Sequence, residues 1–128
     1  MEPTGELNAL AHRVIGAAIE VHRILGPGYL ESVYEEALVI ELGLLGLACD
    51  RQTPMSIGYK GHIVGQGRLD LLIDGCLVVE LKTVEHVLPI HQAQLLSYMK
   101  AAQKQLGLLI DFNARVLREG VKRVVLSQ

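Results

Sequence analysis

Apolar positions in the first quarter of the chain recur every three or four residues. Leu7, Leu10, Ala11, Val14, Ala18, Val21 and Leu25 share one helical face, so the spacing predicts a helix over about 6–25. Gly26-Pro27-Gly28 ends it, because proline cannot continue a helix and glycine accepts the turn. A second helix is expected over about 30–45, with Val33, Ala37, Leu38, Glu41 and Leu42 on one mostly apolar side. Glu31, Glu35 and Glu36 crowd its first turns, where the helix dipole favours negative charge.

After Gly46 the period shortens to two. Residues 55–59 alternate and predict a strand, and Lys60-Gly61 signals a turn. Two further strands are read over 63–67 and 68–73. Asp74-Gly75 is a favoured hairpin turn, and it leads into a strand over 76–82. Residues 89–102 read as a helix with Ile90, Ala93, Leu96 and Ala101 facing inward. The nearly all-apolar run 107–112 is typical of a strand covered on both faces, and 122–126 suits an edge strand. The order α-α-β-β-β-β-α-β-β predicts an α/β fold, a mixed β-sheet flanked by helices.

A chain of 128 residues fits one domain and can bury a core without disulfides or metal staples. Hydrophobic residues make up 50% of it, but with one Phe, four Tyr and no Trp the core must be aliphatic. That surplus fits either a well-filled core or an apolar patch that joins copies into a homo-oligomer such as a dimer. The formal net charge of −2 excludes a protein that coats nucleic acid non-specifically, yet it allows a nucleic-acid enzyme whose acidic site lowers the total. Cys49 and Cys76 are too few and too far apart for a structural zinc site, and they read as buried thiols in a reducing compartment. The N-terminus lacks the basic and apolar regions of a signal peptide, and no run is long enough for a membrane span. A cytoplasmic protein with no membrane association is the expectation.

Candidate chemistry lies on the central hairpin. Glu80 and Lys82 are two apart on a predicted strand and so share a face, while Val79 and Leu81 face the other way. Counting back from the Asp-Gly turn brings Asp70 near Glu80. Charged groups inside runs such as LDLLI and VVELK are costly to bury unless paired or metal-bound. Two carboxylates at that spacing make a hard-oxygen site for Mg²⁺ or Mn²⁺, with the backbone carbonyl of Leu81 as a further ligand. Lys82 would position or deprotonate the attacking water, or neutralise charge on a phosphate. These roles suit phosphodiester hydrolysis. A salt-bridge cluster at a sheet edge, with Lys82 pairing either acid, is the structural alternative.

The pattern Asp70-x₉-Glu80-Leu81-Lys82 on a hairpin resembles the catalytic motif of the PD-(D/E)XK nuclease superfamily. The resemblance implies a restriction-endonuclease-like core in which Asp70 and Glu80 hold Mg²⁺ or Mn²⁺ and Lys82 assists catalysis. Gln94 and Tyr98, four apart in QLLSY, match the Gln-xxx-Tyr helix motif of the RecB-like exonuclease branch, which directs both at the active site. The chain resembles the small bacterial GxxExxY family still more closely. The name motif stands here as Gly28, Glu31 and Tyr34, and flanking segments are similar over about 17–125. Leu69 stands where the superfamily motif has proline, and Asp111 where GxxExxY proteins often carry asparagine. An early-helix acid joins the metal site in the recombination-exonuclease branch. Glu31 is the candidate, unless its carboxylate instead caps the free backbone N–H groups of the helix start.

Other residues read more plainly. His22, His86 and His91 lack metal-ligand spacing, with His91 nearest Gln94. Tyr34 reads as a packing residue with a satisfied hydroxyl. Arg115, Arg118, Lys122 and Arg123 form a basic cluster that suits either phosphate contact or a solvated face. The leading function is a metal-dependent nuclease acting on DNA. The alternatives are a non-catalytic nucleic-acid or protein-binding module on the nuclease fold, and a subunit of a larger assembly.

Overall fold

Both N-terminal helices form in the computed structural model, which describes residues 2–127. Helix α1 (Gly5–Leu25) starts at Thr4, whose hydroxyl accepts a 3.1 Å hydrogen bond from the Leu7 amide. It stops at Gly26, where φ is +67° and the amide bonds back to the His22 carbonyl. Helix α2 (Glu31–Leu44) buries Tyr34, Leu38 and Leu42, so its inward stripe centres on Tyr34 and leaves Val33 partly exposed.

Strands β1 (Cys49–Tyr59) and β2 (His62–Ile73) are longer than the alternation suggests. The residues read as two strands over 63–67 and 68–73 form one, and β1 begins well before residue 55. The polar stretch 49–54 carries no period of its own, and its pairing with the apolar end of β2 makes it a strand. Lys60-Gly61 and Asp74-Gly75 both turn with two positive φ values, as tight hairpins require. Strand β3 (Leu77–Lys82) follows, then α3 (Pro89–Ala102), β4 (Leu106–Asp111), a short 3₁₀ turn (Leu117–Gly120) and β5 (Val121–Val125). The sheet runs β1-β2-β3-β4-β5, antiparallel except for the parallel β3–β4 pair that α3 connects. The α/β fold, a mixed sheet flanked by helices, is as expected, but the sheet has five strands where the order predicted six, and β4 is buried throughout.

Two cores result. Val14, Ala18 and Val21 of α1 and Tyr34, Leu38 and Leu42 of α2 pack on Leu71, Ile73, Leu77, Val79, Leu81, Leu108 and Ile110. On the opposite face, Leu95 and Met99 of α3 pack on Met55, Leu69, Leu72, Val78, Leu109 and Val124. The expected inward face of α3 is corrected here: Ile90, Ala93 and Leu96 are exposed, and only Ala101 of that set packs against the core. Apolar residues lie all round this helix, so sequence spacing left its phase undecided. The cysteine expectation fails in part. Cys76 falls in the turn before β3 and is exposed, and Cys49 is half-buried. No helix among the described residues is long and apolar enough to cross a membrane.

Candidate functional site

The site begins with a change of face along the β1–β2 ribbon. Leu71 and Ile73 face α1 and α2, and regular alternation would put Leu69 with them, yet Leu69 lies in the α3 core. The paired strand switches likewise, since Arg51 reaches acids on α2 while Met55 packs in the α3 core. Arg51 pairs with Leu71 and Thr53 with Leu69, so the switch falls where Gln52 faces Asp70. Gln52 adopts φ +51°, a left-handed conformation rare for a non-glycine residue in a strand. Its side chain donates a 2.9 Å hydrogen bond to Glu35 on α2.

Beside this switch the β2–β3 ladder runs out. It pairs Leu71, Leu72 and Ile73 with Val79, Val78 and Leu77. One step further, side chains replace backbone partners. The Asp70 amide donates to Glu80 Oε1 at 3.1 Å, and the Leu81 amide donates to Asp70 Oδ2 at 2.9 Å. Two half-buried carboxylates are thus locked side by side, each to the other strand's backbone. A strand residue's N–H and C=O point to the same side, so the Leu81 carbonyl is aimed at this edge too.

This crowding shows in the acids. Burial, then the charge of Asp70, pushes Glu80 up to about 7 from its usual 4.5. Burial also raises Asp70, against the lowering effect of the Leu81 amide. Near neutral pH the pair therefore holds less than two full negative charges. The positive field of Lys82 opposes these shifts at Asp70, Glu80 and Glu31. Among the described residues neither acid forms an ion pair, so the salt-bridge cluster allowed by the sequence does not form.

Glu31 opens α2 and makes no capping hydrogen bond among the described residues. Burial and then the charge of Asp70 raise its carboxyl. Its place follows from the turn before it. Gly28 takes φ +112°, and the buried Tyr34 hydroxyl donates to the Gly26 carbonyl and accepts from the Tyr29 amide. The Tyr34 ring stacks on Phe112 with centroids 4.6 Å apart. Gly28, Glu31 and Tyr34 thus work as one unit: a turn, an acid and a clamp. Even so, no three His, Cys, Asp or Glu side chains among the described residues converge into a ready cation site. Asp70 and Glu80 stand together, with Glu31 outside that pair.

Lys82 and Gln94 line one open hollow of about 590 Å³ together with Ile90, His91, Ala93 and Ser97. Gln94 Nε2 reaches the Tyr98 hydroxyl at 3.4 Å, so the two residues read as a pair are linked. His91 is a helix-start residue, with Nδ1 accepting from the Leu88 amide at 3.0 Å. His22 bonds the Ala114 carbonyl at 2.8 Å, and His86 lines a separate hollow beside Asp111.

Sequence reasoning missed three supports. Glu35 lies one turn beyond Glu31, a spacing that could have flagged it, and Arg51 and Gln52 hold it beside Asp70. Gln52 carried no sequence signal. Asp111 is 3% exposed, and its Oδ1 accepts from the Val84 amide at 3.1 Å and the Asn113 amide at 3.0 Å. It pins the loop that leaves β3 just after Lys82. An asparagine oxygen can accept the same bonds.

A mixed sheet flanked by helices, with two carboxylates where its central strands part, is the architecture of a nuclease-like α/β protein. The chain belongs to the PD-(D/E)XK nuclease superfamily, whose family model matches residues 8–124. Among solved structures it is similar to one described as the crystal structure of SSO0001, with a TM-score of 0.58 and 20% identity, over 76% of this chain. The match spans 50% of that structure's length, and at this identity it shows the fold alone. Among curated proteins none matches the chain.

Proposed function

We propose that this protein is a metal-dependent nuclease acting on DNA, of the GxxExxY type found in bacteria. The observation that carries the reading is the interlocked pair Asp70 and Glu80, with Lys82 acting on both. Two raised carboxylates fit a divalent cation, which relieves their repulsion by supplying the missing positive charge. Asp70, Glu80 and the Leu81 carbonyl would hold Mg²⁺ or Mn²⁺, with Glu31 as a further acid near Asp70. When bound, such a cation supplies an acidified water and neutralises phosphate charge. Lys82 would position an attacking water or donate to a phosphate oxygen as charge builds. Gln94 orients the scissile group from α3, and Tyr98 holds the Gln94 amide.

Cleavage of labelled single- and double-stranded DNA with Mn²⁺, Mg²⁺ or chelator tests this. Cutting should need metal and fall by about 10²–10⁴-fold in Asp70→Asn, Glu80→Gln and Lys82→Ala. Full activity in any of these folded variants would sink the assignment. The absence of a ready three-ligand cluster favours a second reading, a binding module that kept the fold. Folded protein that binds DNA yet never cuts it would move the weight there. Self-association of the chain rests on exposed Tyr59, Ile63 and Val64 of the ribbon, and light scattering at rising concentration tests it.

A further inference from the structure

The acids on α2, β2 and β3 form a negative site for a polyanionic substrate, so cations must offset them. Four lysines and arginines lie on β1, β2, β3 or the turn joining the first two. Arg51 is consumed by Glu35 and Glu36. Lys82 faces the carboxylate pair and the α3 hollow. Lys60 sits at the far tip of the ribbon, over the Tyr59 ring. Arg68 is the remaining one. It is exposed, and among the described residues it has no hydrogen-bond or ion-pair partner. It lies two residues before Asp70, about 6.6 Å along the strand. Leu69 between them turns into the α3 core, so Arg68 lies on the opposite face of the ribbon. There it lines an open hollow of about 480 Å³ with Pro54, Gln66 and Gly67.

We propose that Arg68 is a substrate-positioning residue that grips a phosphate next to the one held at Asp70 and Glu80, and that the β1–β2 ribbon is the wall along which the nucleic-acid strand lies. The proposal rests on the nuclease reading for the identity of its substrate. Geometry and charge support it: the guanidinium is uncommitted, planar and suited to two-point binding of a phosphate. Its length lets it reach a group one unit along a strand. An arginine there also gives the site a cation that the neighbouring carboxylates do not neutralise.

The test compares wild type, Arg68→Ala, Arg68→Lys and Lys100→Ala, the last a cation lost from an exposed position on α3. Oligonucleotide cleavage with Mn²⁺ gives kcat and KM, and fluorescence anisotropy of the same oligonucleotide gives Kd across a salt series. Arg68→Ala should raise KM and Kd about tenfold while kcat stays within about twofold. Its log Kd against log salt slope should fall by about 0.7 on a single strand or about 0.9 on a duplex. Arg68→Lys should restore the slope and only part of the affinity, and Lys100→Ala should match wild type. An Arg68→Ala protein with wild-type KM, Kd and slope overturns the proposal. If wild type binds without cutting, the nuclease reading fails, and the slope comparison still decides the role of Arg68. If wild type neither binds nor cuts, both fail.

Discussion

Asp111 and Glu80 are both acids inside the fold, and their neighbours give them opposite tasks. Asp111 needs only an acceptor oxygen for two amides, so Asp111→Asn should leave stability within about 1 kcal/mol. Asp111→Ala strands both amides and should cost about 2–3 kcal/mol by urea unfolding. Equal costs for the two substitutions would refute the acceptor role. Glu80 is instead destabilised as an anion. Its folded pKa of about 7 exceeds the ordinary 4.5, so the native state binds more protons between those values. Unfolding free energy of metal-free protein must therefore fall as pH rises through that window, by about 3 kcal/mol from Glu80 at full effect. Glu80→Gln should flatten this fall in urea midpoints between about pH 5 and about pH 8. A wild-type curve that rises with pH through the window would contradict the crowding of Asp70 and Glu80. Glu80 was legible in the sequence as a charge in an apolar run and the task of Asp111 was not, because the amides each acid meets depend on tertiary contacts.

Elements place these residues by close seating. Helix α3 lies against β4 at Gly107, where a Cβ would meet Met99 Sδ at 2.7 Å and Leu95 carbons at 3.3 Å. Both neighbours are buried, so Gly107→Ala should overpack the interface and cost about 1–3 kcal/mol by urea unfolding. The same substitution should lower any cleavage, because α3 carries Gln94 and Tyr98. A variant as stable as wild type would show that the helix has slack at this point. The span of α3 was legible because Pro89 opens it and the following residues suit a helix. Its phase was not, since the burial of Leu95 and Met99 answers to Gly107 and not to any local period. The β1–β2 ribbon shows the same limit. The sequence pattern suggested two strands divided after Gly67, whereas Gly67 sits mid-strand and leaves room for the Met55 methyl.

Over the whole molecule, a helix pair on one face and a single helix on the other bury the sheet from Leu77 to Ile110, and two carboxylates meet where β2 and β3 part. A cation at that point should link binding to folding. At a hundred times its Kd, Mn²⁺ should stabilise the chain by about 2.7 kcal/mol, measured as a shift in thermal unfolding that Glu80→Gln abolishes. An equal shift in the variant would place the cation elsewhere.

The sequence by itself determined the three helices, the strands around them except for the false break inside β2, the two Gly-containing hairpin turns and the Asp70, Glu80, Lys82 pattern. These depend on periods and turn chemistry that act within a few residues. Tertiary structure alone decided the face switch at Gln52 and Asp70, the seat of α3 and the approach of Glu31 and Glu35 to β2. Each of these joins segments distant in sequence, and which side chains meet there is set by how two cores pack against one sheet.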